Sequence, residues 1–410
     1  MDTSDHPIEH TLSIPSDLKT GSNALWGIGL AIVLALLPIY AFSSGGFQIV
    51  DIPLFIMIVV YFLSGANYKD SYIRKYINYY IPFVIWATLI NGIYMMFHFR
   101  LSYLFGTIPI VYAIFLMMVF YNIFTKLLKQ KDIKYIYIGL AISVIFCFTV
   151  KGVNTESRAV LSFNDPNQLG YFAIFLLSYT ILLLNYKAKN NIKNVMFSFI
   201  DILLIFIAHY FLLLSVSRSA IGAFIILDIC LLKNLKKSGH IVKIFLAIMA
   251  MSIFVLIINP TFIQDRLATR QGAFKKKDME DNLKTRYFLP FQHFGGLEIM
   301  VGEGDSYGKK MYPLLGLGEP VVHMEVHNIF GEVFRAFGLI GISLFLFWLV
   351  NMWQGVKKVK DSFWVLGGII TFNMAIYGIR WRGFWIFIAL LMALAALENF
   401  QEKREDYTKS

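Results

Sequence analysis

The chain has little charge and almost no cysteine. Of its 410 residues only 15% are charged and 57% are hydrophobic, and the mean hydropathy is +0.62. A soluble globular domain has about 25% charged residues, so this composition argues against a water-soluble enzyme. Both cysteines, Cys147 and Cys230, lie inside apolar runs, where neither a disulfide nor a metal site is expected. We therefore expect structural thiols in a protein that is solvated mainly by lipid.

The positive charge of the chain is not concentrated on one surface. The formal net charge is +11, but Lys and Arg occur in small clusters between apolar runs rather than along one stripe. A surface that binds nucleic acid typically has such a stripe. The pattern therefore indicates membrane topology, and we expect no nucleic acid partner.

Long apolar runs are abundant. A helix needs about 20 apolar residues to cross about 30 Å of hydrocarbon. The sequence predicts an all-α integral membrane protein with about twelve such helices, near residues 24–44, 48–65, 77–97, 104–124, 134–151, 170–186, 195–215, 219–233, 242–259, 329–355, 362–379 and 383–399. We expect a membrane domain over 23–400, a cytoplasmic tail over 1–22 without a cleaved signal, and a second tail over 401–410.

Basic residues predict the orientation of these helices, because short cytoplasmic loops retain Lys and Arg. Clusters of them follow the second, fourth, sixth, eighth and tenth predicted spans. Both termini are therefore expected in the cytoplasm. Four segments are then placed on the outer face, namely 152–169, the turn at 217–219, the long loop at 260–326 and the turn at 380–382.

The outer segments carry most of the candidate functional side chains. Guanidinium groups make planar, bidentate hydrogen bonds to phosphate, so arginines there would suit an anionic lipid-linked substrate; they could equally extend to lipid headgroups. Arg218 has the strongest case, because its turn joins two apolar runs with almost no loop. The others are Arg266, Arg286, Arg380 and Arg382.

Histidine and short polar side chains add further candidates. His327 opens the tenth span, where an imidazole that titrates near neutral pH is suited to take a proton from a sugar hydroxyl, although it could instead cap the helix. Asp165 and Asn167 precede the sixth span and could contact sugar hydroxyls or cap that helix. Inside the spans, Glu332 and Arg335 lie three residues apart on one helix face and are expected to form a structural ion pair.

Several motifs together resemble the O-antigen ligase and O-antigen polymerase superfamily of membrane glycosyltransferases. His327, Asn328, Gly338 and Gly341 have the spacing of the motif in ligase members. Further matches are the Ser-Arg-Ser-Ala stretch at Arg218, the entry to the long loop at Arg266, the Thr-Arg pair at Arg286, and Val301-Gly302-Glu303-Gly304. The motifs occur in the order typical of the family and cover most of residues 150–345.

The resemblance implies a glycosyltransferase-C-like membrane fold and transfer of a glycan from an undecaprenyl-diphosphate donor to an acceptor hydroxyl at the periplasmic face of a bacterial inner membrane. It implies no cofactor, nucleotide sugar or metal. By the same resemblance, His327 would be the general base or position the acceptor. Arg218, Arg286 and Arg266 would bind the diphosphate, and Asn328, Asp165, Asn167 and Arg382 are weaker candidates for substrate contact.

The acceptor distinguishes the possible activities. The next lipid-linked repeat unit as acceptor would make the protein a polymerase of O-antigen, exopolysaccharide or capsule, and lipid A core would make it a ligase. The stretches at Asp165 and Arg218 favour the polymerase, whereas the His-Asn motif favours the ligase. A flippase for the same lipid-linked sugar is the alternative of another class. Expected partners are the donor, the acceptor glycan or lipid A core, membrane lipid, and a chain-length regulator with a separate flippase.

Overall fold

The structure is a computed structural model that describes residues 22–40, 47–65, 70–151, 161–215, 217–238, 294–305, 328–374 and 378–409. Within these ranges the protein is helical and has no β-strand. The helices are α1 (Ser22–Leu36), α2 (Asp51–Leu63), α3 (Ser71–His98), α4 (Ser102–Lys129), α5 (Lys134–Thr149), α6 (Pro166–Lys189), α7 (Val195–Ser215), α8 (Arg218–Ser238), α9 (Gly296–Val301), α10 (Ile329–Val356), α11 (Ser362–Asn373) and α12 (Arg382–Lys409), with a 3-10 turn at Gly378–Arg380.

The lengths and composition of these helices fit a membrane protein. Six are long and apolar enough to cross a membrane by length and composition, namely α3, α4, α6, α7, α10 and the Arg382–Glu402 part of α12. Shorter apolar helices are α1, α2, α5 and α11. The prediction of an all-helical membrane protein is confirmed at this level. The ninth predicted span, 242–259, lies outside the described residues, as does most of the predicted loop at 260–326.

Some predicted boundaries were wrong. The first predicted span extends to 44, but α1 ends at Leu36, and the eleventh extends to 379, but α11 ends at Asn373. Hydropathy misses these ends because the residues that follow are still apolar. Over the predicted tail at 401–410, α12 continues to Lys409, beyond the Arg382–Glu402 part that is apolar enough to cross a membrane.

The helix bundle is organised around α4, α6 and α12. Helix α12 packs along α4, α7 packs along α6, and α10 packs along α3. Aromatic rings fill the interior, where Tyr80 lies with its ring centroid 5.0 Å from that of Trp348 and 5.2 Å from that of Trp385. Large apolar side chains on α2 and α3, such as Phe55 and Ile85, instead face outward. A bundle with an apolar interior and an apolar outer surface is expected where lipid surrounds it.

Two pairs of charged or titratable groups within the helices contact each other inside the bundle. Asp201 forms an ion pair with Lys187 and accepts a hydrogen bond of 2.6 Å from the Tyr137 hydroxyl. His209 Nε2 lies 3.0 Å from Asp228 Oδ1. An unpaired charge is costly in lipid, so these contacts favour the packed arrangement of α5, α6, α7 and α8.

The two ends of the bundle differ in charge. We call one the lysine end: the starts of α3, α5, α7 and α11 and the ends of α4, α6, α8, α10 and α12. Every lysine that the structure describes lies there, except Lys151. The opposite end, which we call the arginine end, holds the starts of α2, α4, α6, α8, α10 and α12. Among the described residues, its cations are mainly arginines, including Arg218, Arg380 and Arg382.

Candidate functional site at the arginine end

Helix α10 is broken near its start, at Gly338. The backbone there has φ 67° and ψ −167°, and Gly302, in the segment that packs against it, has φ 81° and ψ −170°. Essentially only glycine adopts this region. A Cβ at Gly338 would overlap the carbonyl of Met300, and one at Gly302 would overlap the carbonyl of Ala336. Both glycines are therefore required for the backbone of α10 to contact the backbone of the segment at Gly302.

The break frees backbone carbonyls of α10, and each of three finds a new donor. The N–H of Glu303 donates to the carbonyl of Arg335 at 3.0 Å, and the N–H of Gly304 donates to that of Ala336 at 2.8 Å. Trp86 Nε1 donates to the carbonyl of Phe337 at 2.9 Å. A buried carbonyl without a donor is unfavourable, so these three bonds compensate for the interrupted helix.

The segment Gly302–Asp305 is enclosed by helices on its other sides. The Tyr94 hydroxyl on α3 donates to the carbonyl of Gly302 at 2.9 Å. Asn91, also on α3, accepts the N–H of Asp305 at 2.6 Å. On α4, a Cβ at Gly106 would overlap the carbonyl of Asp305. Although it belongs to the predicted outer loop, this segment is thus built into the bundle between α3, α4 and α10.

The same segment carries two buried carboxylates that pair with arginines. Arg335 is 1% exposed, and its Nε lies 3.0 Å from Glu332 Oε2 while its Nη1 lies 3.3 Å from Glu303 Oε2. Asp305 forms an ion pair with Arg380, which precedes α12. Two guanidinium groups thus face three carboxylates, a formal charge of −1. We call these five residues the buried ion cluster. It holds the start of α10 against the start of α12, and it confirms the predicted pair of Glu332 and Arg335.

Arg382 forms an ion pair with Asp51, a carboxylate outside the buried ion cluster. Its Nε lies 2.7 Å from Asp51 Oδ1 and its Nη2 lies 2.8 Å from Asp51 Oδ2, a bidentate arrangement. The N–H of Gln48 donates to the same carboxylate at 2.7 Å. Arg382, a weaker candidate for substrate contact from the sequence, therefore joins the start of α12 to the start of α2.

The start of α6 lies against the turn between α7 and α8. Asp165 caps α6 by accepting the N–H of Asn167 at 2.7 Å, so the capping interpretation of Asp165 is confirmed. The side chain of Asn167 instead accepts the Ser217 hydroxyl at 2.8 Å, and the hydroxyls of Ser217 and Ser219 lie 3.0 Å apart. The structure therefore brings Asp165 and Asn167 next to Arg218, which is exposed and is the first residue of α8.

A continuous series of contacts links this turn to the buried ion cluster. One helical turn beyond Asn167, the Tyr171 hydroxyl accepts a hydrogen bond of 2.8 Å from Asn373 Nδ2 at the end of α11. The ring centroid of Tyr171 lies 4.7 Å from that of Trp381. In the sequence, Trp381 stands between Arg380 and Arg382, which pair with Asp305 and Asp51. The starts of α6, α8, α10 and α12 thus form one packed polar layer at the arginine end.

Asn328 caps α10. Its side chain accepts the N–H of Gly331, so the capping role accounts for the asparagine of the motif. His327 directly precedes it in the sequence but lies outside the described residues, as do Arg266 and Arg286. Of the eight residues predicted from the sequence to act at the site, the structure therefore places Arg218, Asp165, Asn167, Asn328 and Arg382 at the arginine end and does not describe the other three.

Sequence reasoning missed several residues of this layer. The sequence patterns do not identify Asp305 or Asp51, and they include Glu303 only as part of the stretch Val301-Gly302-Glu303-Gly304. The available signal was the Gly-Glu-Gly sequence at 302–304, since glycines that flank a charged residue after an apolar helix indicate a close backbone approach. Among the described residues, no group of three or more His, Cys, Asp and Glu side chains could hold a metal ion.

Chemically, the described part of this layer offers the exposed side chain of Arg218, the hydroxyls of Ser217 and Ser219 on either side of it in the sequence, the amide of Asn167, and the capped start of α10. An exposed arginine beside serine hydroxyls is suited to bind phosphate oxygens. The chain matches no protein-family model and no curated protein.

Proposed function

We propose that the protein is a membrane glycosyltransferase of the O-antigen polymerase type. It would transfer a glycan from an undecaprenyl-diphosphate donor to a sugar hydroxyl of an acceptor glycan, at the membrane face formed by the arginine end. The main observation in support is that residues from separate motifs of the family resemblance lie at the same end of the bundle. They are Arg218, Asn167 and Asn328.

The proposed topology has about twelve spans, with the arginine end periplasmic and the lysine end cytoplasmic. The distribution of lysines supports this orientation, because short cytoplasmic connections retain basic residues. Both termini would then lie in the cytoplasm of a bacterial cell, and the protein would reside in the inner membrane.

The proposed reaction is a displacement at the anomeric carbon of the donor. The acceptor oxygen forms a bond to that carbon while the bond from carbon to phosphate oxygen breaks, and the diphosphate leaves with the electron pair. His327 would take the proton of the attacking hydroxyl, and Arg218, Arg266 and Arg286 would stabilise charge on the leaving diphosphate.

The capped start of α10 supports this role for His327. Asn328 fixes the first turn of α10, and the buried ion cluster fixes the helix just beyond it. A general base needs such positioning, because misplacement of about 1 Å can reduce the rate about 100-fold.

The test is deletion of the gene followed by complementation, with the glycan examined on gels. Loss of polymer with a single repeat unit still attached to lipid A core supports the polymerase. Polymer that accumulates on the carrier lipid, with bare core, would instead support the ligase, which the His327-Asn328 motif favours. His327→Ala and Arg218→Ala should each abolish complementation at normal protein levels, whereas Arg74→Ala, an exposed arginine at the lysine end, should complement fully.

A reaction with purified protein separates an enzyme from a flippase. Protein in detergent is mixed with a synthetic undecaprenyl-diphosphate-linked repeat unit, and products are followed by mass spectrometry. A glycosyltransferase joins units in detergent, where no membrane separates two compartments. Unchanged substrate with folded, purified protein would refute the proposed activity.

A further inference from the structure

A pocket of about 570 Å³ lies at the lysine end, away from the candidate site. It is formed by the ends of α4 and α6, the connection between α10 and α11, and the middle of α12. Its volume falls within the range of about 300–1,000 Å³ typical of sites for small ligands.

The mouth of this pocket is basic. Four lysines line it, with one carboxylate, Glu398, which gives a formal charge of +3; the lysines are Lys129, Lys131, Lys189 and Lys360. Lys189 Nζ lies 3.4 Å from Glu398 Oε1 and its side chain is still 47% exposed. The positive groups are therefore accessible at the rim.

The interior walls of the pocket are apolar. Leu128 and Leu182 are each 1% exposed, and Leu394 is 6% exposed. Leu397 also lines the pocket, and Leu182 and Leu394 belong to the membrane-length parts of α6 and α12. Phe400 is exposed, with Lys129 Nζ 5.7 Å from the centroid of its ring. A soluble anion needs only the basic rim, whereas an acyl chain also needs an apolar wall.

We propose that this pocket binds an anionic phospholipid, with the phosphate between the rim lysines and the start of an acyl chain along the leucines. Basic pockets between transmembrane helices on the cytoplasmic side are suited to anionic headgroups. The assignment is independent of the proposed glycosyltransferase activity, because the pocket lies at the other end of the bundle.

The test is binding of short-chain lipids to delipidated full-length protein in a neutral detergent, followed by native mass spectrometry. Dioctanoyl phosphatidylglycerol should bind, and dioctanoyl phosphatidylcholine should bind at least roughly 10-fold more weakly. The double variant K131Q/K360Q should weaken phosphatidylglycerol binding by roughly 30-fold, from two lysines near the headgroup. Both lysines are exposed, so the fold should be retained.

Two further variants make the result specific to the pocket. K75Q/K193Q removes two exposed lysines at the same end outside the pocket and should bind phosphatidylglycerol as the wild type does. Ala188→Trp keeps every charge and fills the pocket from its exposed rim, so it should abolish binding.

Three results would overturn the proposal. They are equal binding of the two lipids, wild-type affinity in both K131Q/K360Q and Ala188→Trp, and glycerol phosphate binding as tightly as phosphatidylglycerol. The last result would assign the rim to a free phosphate compound and not to a lipid.

Discussion

Removal of Arg335 should strongly destabilise the bundle. Arg335 and Glu303 are each 1% exposed, and Glu332 is fully buried. Arg335→Met keeps an apolar side chain in the space but leaves two carboxylates without their cation. Breaking a buried ion pair from one side costs about 3–5 kcal/mol, and here one substitution affects two carboxylates. We therefore expect a loss of at least that size.

A variant without charges at these positions distinguishes the effect of the Arg335 charge from the effect of its side-chain shape. In E303Q/E332Q/R335M no ionised group remains among these three positions, so most of the stability should return, because buried ion pairs contribute little net stability relative to neutral replacements. The readout is the apparent Tm in detergent, measured as the fraction that stays monodisperse on size exclusion after heating. Arg74→Met, an exposed arginine at the lysine end, should change stability by less than about 0.5 kcal/mol.

Two outcomes would refute this reasoning. If Arg335→Met is as stable as the wild type, the cluster is not a buried set of charges. If the triple variant is as unstable as Arg335→Met, the shape of the guanidinium group matters and its charge does not.

Three further substitutions test the rest of the layer, with the same apparent Tm as readout. Gly338→Ala should destabilise the protein strongly, because a φ of 67° and the adjacent backbone leave no room for a Cβ. Gly92→Ala is the control: nothing lies within 4 Å of a Cβ there, so stability should be unchanged or rise by about 0.5–1 kcal/mol. Equal effects of the two substitutions would contradict the close approach of the two backbones at Gly338. Asp165→Ala should lose about 1 kcal/mol of helix capping, and Asp165→Asn, which keeps an acceptor, should stay near wild type. Arg382→Lys should lower the Tm because an ammonium group does not reproduce the bidentate contact with Asp51, and an unchanged Tm would argue against that ion pair.

Hydropathy predicted the helices well because lipid imposes a strict condition on the backbone. Every N–H and C=O in the hydrocarbon needs an internal partner, so a long apolar run is almost always a helix. The spacing of Glu332 and Arg335 similarly predicted their contact, since residues three apart lie on one helix face. Local patterns of this kind need no knowledge of the tertiary fold.

The segment at 302–305 was not predictable in the same way. Its charges and glycines are typical of a loop, and hydropathy treats a carboxylate as exposed. Its burial depends on Arg335 and Arg380, which are distant in sequence, and on carbonyls freed by a break in α10. The break itself depends on the segment, because the freed carbonyls would otherwise lack donors. A local sequence pattern cannot reveal this mutual dependence, because the contacts join segments that are distant in the sequence.

If the proposed activity is correct, burial at the arginine end bears on which arginine contacts the diphosphate. Arg335, Arg380 and Arg382 each face at least one buried carboxylate, so they add little net positive potential at the membrane face. Arg218 is exposed beside hydroxyl groups. If the proposed activity is correct, Arg218→Lys should reduce donor affinity and the rate of transfer without lowering the Tm, because a point charge replaces a bidentate fork. Arg382→Lys should do the opposite, lowering the Tm more than the kcat/KM of the protein that remains folded. Equal kinetic losses at both positions would mean that Arg382 also contacts the donor, and that Asp51 tunes a binding site and does not simply lock two helices together.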